Sequence, residues 1–310
     1  MVVRRHFRKC AVECIEGVIN NSSAGGISLS IRSLARSMIR GATWQNPVVS
    51  VVLQTVDPFD FIVRRIKGRS YLPPFSIRVR SAGISQDIGG NGFIEEGRLI
   101  AKLLRAHALL TPDSKTLEIG CGCGRTAFAL ADFLNDGNFA GMDIEPVALK
   151  SARSNRLLQG KRFSFELLDV RNDLYNPNGE FIATEYVLPY PDQTFDVVFL
   201  LSVFTHMLTD EVRNYAKQIS RVLKPGGRCF FSAFFLDREM ERQFPFNSQQ
   251  HSYADEAIPG IAVAYNSEFL SSTFAENGMS IFAGPLWGTV HGPLAETTEY
   301  QDLMVFRKQR

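Results

Sequence analysis

The stretch LEIGCGCGRTAFAL, residues 117–130, decides the fold of this chain. Three mostly apolar residues lead into Gly120, Gly122 and Gly124, which alternate with Cys121 and Cys123 before a helix-forming run begins at Arg125. A strand, a Gly-rich turn and a helix in that order bring backbone N–H groups and a helix N-terminus up to a ligand. A dinucleotide fingerprint needs glycine at position 125, where the helix packs under the pyrophosphate, and here that position is Arg125. Glu118 also sets an anion close to any pyrophosphate, whereas a ligand carrying an ammonium and a sulfonium would welcome it.

Outward from this turn, strands alternate with helices. The pattern predicts strands at 116–119, 139–143, 163–168, 195–200, 228–234, 279–283 and 301–306. Helices are expected at 94–110, 125–135, from Pro146 to about 158, 210–223 and 267–277. Such alternation implies βαβ units and a mostly parallel sheet. The second strand ends at Asp143 in GMDIEP, where a carboxylate can accept both hydroxyls of a ribose, although Asp143 could instead cap the helix that follows. The third strand is followed by LLDV, and Asp169 there can accept from an exocyclic adenine amine or simply begin a turn.

Glu118 to Gly124, with Asp143 and Asp169, resembles the ExGxGxG and following acidic motifs of the class I S-adenosylmethionine-dependent methyltransferases. LPYPDQTFDVVFLLSVFTHM and ISRVLKPGGRCFFSAF look like the fourth and fifth motifs of that family, and the resemblance spans roughly 93–306. It implies a Rossmann-like seven-stranded α/β sheet whose last strand, YQDLMVF, is antiparallel, with S-adenosyl-L-methionine as cofactor. The implied cofactor-binding residues are Glu118, Gly120, Cys121, Gly122, Gly124, Asp143, Ile144, Asp169, Val170, Leu201 and Ser202. YNPNGEF, YPDQTFD and SVFTHM further resemble a bacterial subgroup of unassigned methyltransferases acting on saccharides, lipids or specialised metabolites.

On the acceptor side, His206 follows the fourth strand by six residues, and an imidazole titrates where it can take a proton from a hydroxyl. It is the candidate base, with a purely structural histidine as the alternative. Thr205 shares its segment, and His251, Tyr253, Trp287 and His291 lie in later loops that could cover an acceptor. Amide and base N-methyltransferases of this fold carry Asp/Asn-Pro-Pro-aromatic after the fourth strand, where this chain has LSVFTH. No cysteine stands there for a cytosine adduct either. The expected reaction is therefore O-methylation of a small-molecule, sugar or lipid-linked saccharide hydroxyl. The alternatives are a non-catalytic cofactor-binding or docking module and an RNA methyltransferase. An NAD oxidoreductase is more distant, because no Tyr-x-x-x-Lys pair accompanies the fold.

Composition bounds the rest. The 310 residues are 45% hydrophobic and 21% charged, enough for one large or two ordinary domains, which excludes a disordered or fibrous chain. Charge breaks each apolar run short of a membrane span, and Glu13 and Glu16 interrupt the start as a secretory signal, so a cytoplasmic protein is expected. Five cysteines are too few for a disulfide framework. Cys121 and Cys123 lack the nearby ligands that would complete a tetrahedral metal site, and no metal is expected.

Residues 1–80 carry 13 basic against 4 acidic side chains, although the whole chain is only +2. This divides the sequence into a basic, mainly helical front module at 1–90 and a methyltransferase domain at 91–310. In the front, Ile27, Ile31, Leu34 and Met38 form one stripe and Arg32, Arg36 and Arg40 another, an amphipathic pattern suited to peripheral membrane contact through 27–44. Scarce aromatics disfavour nucleic acid as a partner. Asp57 and Pro58 read as the cap and first position of a helix ending near Gly68, LPPF as an extended connector, and SAGISQDIGGNG as a flexible segment or lid.

Overall fold

The structure, a computed structural model, describes residues 47–83, 86–236, 244, 246–247, 250–254, 259–290, 296 and 300–309. The stripe at 27–40, the contact expected through 27–44, Cys10, Cys14 and His291 lie outside the described residues.

The front contributes α1 (Pro47–Ile66) and α2 (Phe75–Ala82), and α3 (Asn91–His107) leads into the sheet. There follow β1 (Thr116–Ile119), α4 (Arg125–Leu130), β2 (Phe139–Asp143), α5 (Pro146–Ser154), α6 (Arg156–Gly160), β3 (Ser164–Leu167) and β4 (Phe195–Leu200). The second half holds α7 (Thr209–Val222), β5 (Leu223–Phe235), β6 (Phe246–Asn247), β7 (His251–Tyr253), β8 (Val263–Tyr265), α8 (Ser267–Glu276), β9 (Met279–Leu286) and β10 (Asp302–Lys308). The single helix expected from Pro146 to about 158 is broken at Asn155, whose extended backbone ends α5 while its side chain caps α6.

Neighbours across the main sheet run β3-β2-β1-β4-β5-β10-β9. β10 is antiparallel to both β5 and β9, while β1 to β5 are mutually parallel. These are the seven strands expected, and among the described residues three more extend the sheet to ten. The reason is the length of β5: after its partner β4 has ended, Phe234 and Phe235 pair with Ala264 and Tyr265 of β8, which carries the β7 and β6 hairpin strands. This three-stranded extension sits beyond the carboxyl end of β4.

Side chains alternate between the two faces of the sheet, as the pleat requires. Leu117, Ile119, Val198, Leu200 and Phe231 join one buried cluster, and Val197, Phe199 and Phe230 the other. On the first face Phe306 stacks on Phe274 at 4.4 Å between ring centroids, and Phe231 stacks on both. On the second face, α3 approaches α4 closely at Gly97, where a Cβ would lie 2.8 Å from the Arg125 carbonyl.

Three expectations for the front are corrected. Pro58 does not begin a helix but lies inside α1, and Asp57 does not cap it. Asp57 instead accepts from the Ser76 N–H (2.9 Å) and hydroxyl (2.6 Å), and Asp60 from the Phe75 N–H (3.1 Å), so the first donors of α2 are served by carboxylates of α1. The connector after Leu72 is accordingly short, because Pro74 is itself the residue preceding α2. Nor are 86–90 loose: Gly89 N–H donates to Asp60, Arg78 donates to the Asp87 carbonyl, and Asp87 accepts from the N–H groups of Asn91 and Gly92 at the start of α3.

Candidate active site

The carboxyl ends of β1, β2, β3 and β4 converge, and the candidate residues lie along that edge. At β1 the chain turns on Gly120, Gly122 and Gly124, all with positive φ (+82°, +53° and +91°). Glycine is required here for a steric reason as well. A Cβ on Gly120 would lie 2.4 Å from Val203 Cγ2, and one on Gly122 would lie 2.8 Å from Ser81 Cβ. The N–H groups of Gly120 and Cys121 both donate to the Met142 carbonyl, which ties the turn to β2. The Cys121 sulfur lies against Gly141, and burial pushes its thiol pKa well up; burial likewise raises that of Cys123, to about 11. These are packed thiols, and no group of three or more potential metal ligands exists among the described residues.

Glu118 is buried. Its Oε1 accepts from the Thr126 hydroxyl at 2.8 Å, while Oε2 has no hydrogen-bond partner. Burial raises its pKa to about 8, with Asp143 adding to the rise and Thr126 and Arg125 opposing it. An orphaned carboxylate oxygen beside a glycine turn is an unmet demand for a cation or donor.

Asp143 closes β2 and joins the turn. It accepts from Gly122 N–H at 2.6 Å on one oxygen and from Glu145 N–H at 2.7 Å on the other, and burial still lifts its pKa to about 6. Each oxygen retains a lone pair for a further donor. Capping of α5 is performed not by Asp143 but by Glu145, which accepts from Ala148 N–H. Ile144 is partly buried against the core. Asp169, after β3, accepts from the Asn176 side-chain amide at 3.1 Å, and Val170 is buried and bridges to Phe181. The turn from Asn172 to Asn176 is pinned by two reciprocal backbone hydrogen bonds of 2.9 Å. It presents Tyr175, whose pKa is pushed up to about 12 by burial and by the charge of Asp143.

After β4, Leu201 packs on the second cluster and Ser202 adopts a positive φ of 56°. The Ser202 N–H donates to Ser232 Oγ, and Gln301 joins both serines by donating to Ser202 Oγ and accepting from Ser232 Oγ. The short 3-10 turn Phe204–His206 follows. His206 Nδ1 lies 3.0 Å from the Gly260 carbonyl, which can only accept, so Nδ1 carries the proton and Nε2 the lone pair. Tyr175 meets the imidazole edge-on at 5.5 Å. Burial lowers the His206 pKa below its usual 6.5, with the Gly260 and Ile261 carbonyls pulling the other way. His251 and Tyr253 fall on β7, and Trp287 packs against Phe235.

Several residues at the site carry no motif. Ser81 of α2 accepts from Cys123 N–H at 3.1 Å, and Arg80 pairs with Glu145 at 2.8 Å, so the front helix buttresses the glycine turn. The Pro-Pro pair before α2 masks its helical pattern. Tyr175 and Gly260 approach His206 from 31 and 54 residues away, and Ser232 and Gln301 reach Ser202 from 30 and 99. Nothing local announces such partners.

Residues 117–231 match the family described as "Methyltransferase domain". This part of the chain is similar to a methyltransferase domain. The mutually parallel β1 to β5 and the antiparallel last strand, β10, are those expected for a Rossmann-like fold. The chain is similar to the tRNA N(3)-cytidine methyltransferase METTL2 of Gallus gallus, 33% identical over 36% of this chain and 28% of that protein. It is also similar to the 27-O-demethylrifamycin SV methyltransferase of Amycolatopsis mediterranei, 32% identical over 41% of each. The chain thus spans less than half the length of these curated relatives. The PH0226 protein of Pyrococcus horikoshii OT3 superposes with a TM-score of 0.49 at 18% identity, over 72% of this chain and 94% of that one.

S-adenosylmethionine is the cofactor of such a domain, and the site fits it. The orphaned Glu118 oxygen suits an ammonium, the glycine turn leaves room that side chains would fill, and Asp143 retains acceptor capacity for hydroxyls.

Proposed function

We propose that the protein methylates a hydroxyl group of a small molecule, a sugar or a lipid-linked saccharide, with His206 as the base. S-adenosylmethionine, when bound, supplies an electrophilic methyl group. In this reading Glu118 and the turn from Gly120 to Gly124 hold its amino-acid end with Leu201 and Ser202, Asp143 its ribose, and Asp169, Ile144 and Val170 its adenine. The front module, 1–90, and the methyltransferase domain, 91–310, are kept as two parts, the first bracing the second through Ser81 and Arg80.

The observation that carries the reading is the 3.0 Å approach of His206 Nδ1 to the Gly260 carbonyl. With Nδ1–H donated to Gly260, Nε2 keeps the lone pair that a base needs. As the acceptor oxygen bonded the methyl carbon, the methyl–sulfur bond would break and release the neutral thioether, while the acceptor O–H proton would pass to His206 Nε2. Burial helps twice, by favouring the neutral imidazole and by excluding water from an in-line displacement. The rifamycin relative is named for a 27-O-demethylated acceptor, and LSVFTH after β4 lacks the Asp/Asn-Pro-Pro-aromatic run of amino-group enzymes.

The test uses labelled methyl donor with a panel of sugars, lipid-linked saccharides and phenols, comparing the wild type with His206→Gln. Transfer should fall about 100-fold or more, while S-adenosylhomocysteine binding measured by calorimetry stays within about twofold. With saturating S-adenosylmethionine, the wild-type rate should decline at a lower pH than an ordinary imidazole would give, because burial lowers the His206 pKa and a protonated imidazole cannot take the proton. Full activity in His206→Gln, or transfer to RNA nitrogens in place of hydroxyls, would overturn the proposal.

A further inference from the structure

The helix α1 is amphipathic in an inverted sense. Its charged groups Asp57, Asp60 and Arg64 face the protein, where the buried Asp60 pairs with the buried Arg64 at 2.6 Å and with the buried Arg78 at 2.8 Å. Asp57 is taken by Ser76. Burial works against the charge of Asp60, but its hydrogen bonds and the guanidinium of Arg78 outweigh it and hold the carboxyl below its usual pKa. The outer face carries Val51, Thr55, Phe59, Ile62 and Ile66, a single stripe at helical spacing. Phe59 is 58% exposed, Ile62 55% and Ile66 80%. A helix that turns its carboxylates inward and its isoleucines outward is not shaped for water alone.

The charge around the stripe identifies what would cover it. Both acids of α1 are engaged inward, while Arg65 and Lys67, at its carboxyl end, are exposed. The outer face is therefore mostly apolar, and its exposed charges, at the carboxyl end, are all basic. An apolar strip that size flanked by lysine and arginine suits the boundary between acyl chains and anionic headgroups. No helix among the described residues is long and apolar enough to cross a membrane, so α1 would lie along the surface rather than span it.

We infer that α1 is a membrane-surface helix that docks the protein on anionic lipid through Phe59, Ile62 and Ile66, with Arg65 and Lys67 at headgroup level. This stands apart from the reading of the catalytic site, because lipid binding requires neither cofactor nor acceptor. It also places the lipid contact on a helix that braces α2 and, through Ser81, the glycine turn.

The experiment is co-sedimentation of the full chain with vesicles of phosphatidylcholine containing 30% phosphatidylglycerol (roughly physiological anionic content), against phosphatidylcholine alone. The wild type should sediment with the anionic vesicles and be released by about 0.5 M salt. Phe59→Ser/Ile62→Ser/Ile66→Ser should weaken binding about tenfold or more, while S-adenosylhomocysteine binding is unchanged because none of these side chains reaches the site. Arg65→Glu/Lys67→Glu leaves the apolar stripe intact and should weaken binding about fivefold or more. The inference is overturned if the wild type stays in the supernatant, or if both variants bind as the wild type does. It is equally overturned if the serine variant converts a dimer to a monomer, which would assign the face to a second copy of the chain.

Discussion

The two sides of the carboxyl edge are built differently. On the cofactor side, from β1 to β3, most contacts are made by groups close in sequence or on adjacent strands, such as Gly122 N–H on Asp143 and Thr126 on Glu118, with Ser81 and Arg80 of α2 as the long-range exceptions. On the acceptor side, after β4, nearly every positioning contact is long-range. His206 is held by Gly260, and the turn before it by the Tyr265 hydroxyl, which donates to the carbonyls of Phe204 and Met207. The cofactor side is thus constrained by a local backbone geometry that few sequences can adopt. The acceptor side is constrained by tertiary packing that many sequences can supply, which is the side on which relatives of one fold can differ in substrate.

The sharpest way to break this comparison is Gly120→Ala. The methyl group meets two penalties, a φ of +82° and a contact of 2.4 Å with Val203 Cγ2, which together cost about 3 kcal/mol. S-adenosylhomocysteine binding should fall about 100-fold by calorimetry. Adding Val203→Ala relieves the contact but not the φ, so it should restore only part. Full restoration by the second change would show that the turn is limited by packing, as the acceptor side is.

A second, smaller effect separates binding from stability within the cofactor side. Glu118 has a pKa of about 8 in the folded chain, against 4.5 when unperturbed. Between those values the folded state holds the proton more tightly than the unfolded state, so Glu118 lowers stability as pH rises from about 4.5 to 8. Glu118→Gln keeps an oxygen to accept from Thr126 and removes the titration. Urea denaturation should show it stabilised by roughly 2 kcal/mol at pH 8 and nearly unchanged at pH 4.5. Its affinity for S-adenosylmethionine should fall about tenfold at pH 8. A variant that gained stability and kept its affinity would mean that the orphaned oxygen is not aimed at the cofactor.

This division also explains what was legible in the sequence. The strands of the main sheet could be placed within a few residues because apolar alternation and Gly-rich turns are local signals, and the same holds for Gly120, Gly122 and Asp143. The helix α2 was hidden because Pro73 and Pro74 signal an extended segment, and its N-terminus is capped by carboxylates 15 to 19 residues earlier rather than by its own flank. Pro58 was misplaced for a related reason. Asp-Pro is a common helix start, but here Asp57 is committed to Ser76 while the preceding turns of α1 continue through the proline. The strands β6 to β8 are two or three residues long and exist because β5 outlasts β4, a relation between strand lengths that no window of sequence contains.

The gentlest test of the comparison is Tyr265→Phe. The Tyr265 ring is fully buried at the end of β8 and stacks on Phe269, so removing only its hydroxyl leaves the packing in place. What is lost is the donor shared by the Phe204 and Met207 carbonyls, which fixes the turn that carries His206. Two carbonyls without their donor cost about 1–2 kcal/mol, which thermal unfolding would register. If the acceptor side is held by tertiary contacts alone, S-adenosylhomocysteine affinity should stay within about twofold. Methyl transfer should drop about threefold to tenfold, because an imidazole displaced by a fraction of an ångström meets the hydroxyl proton less often. An equal loss in cofactor affinity would show that the turn after β4 also braces Gly120 through Val203, and that the two sides act as one unit.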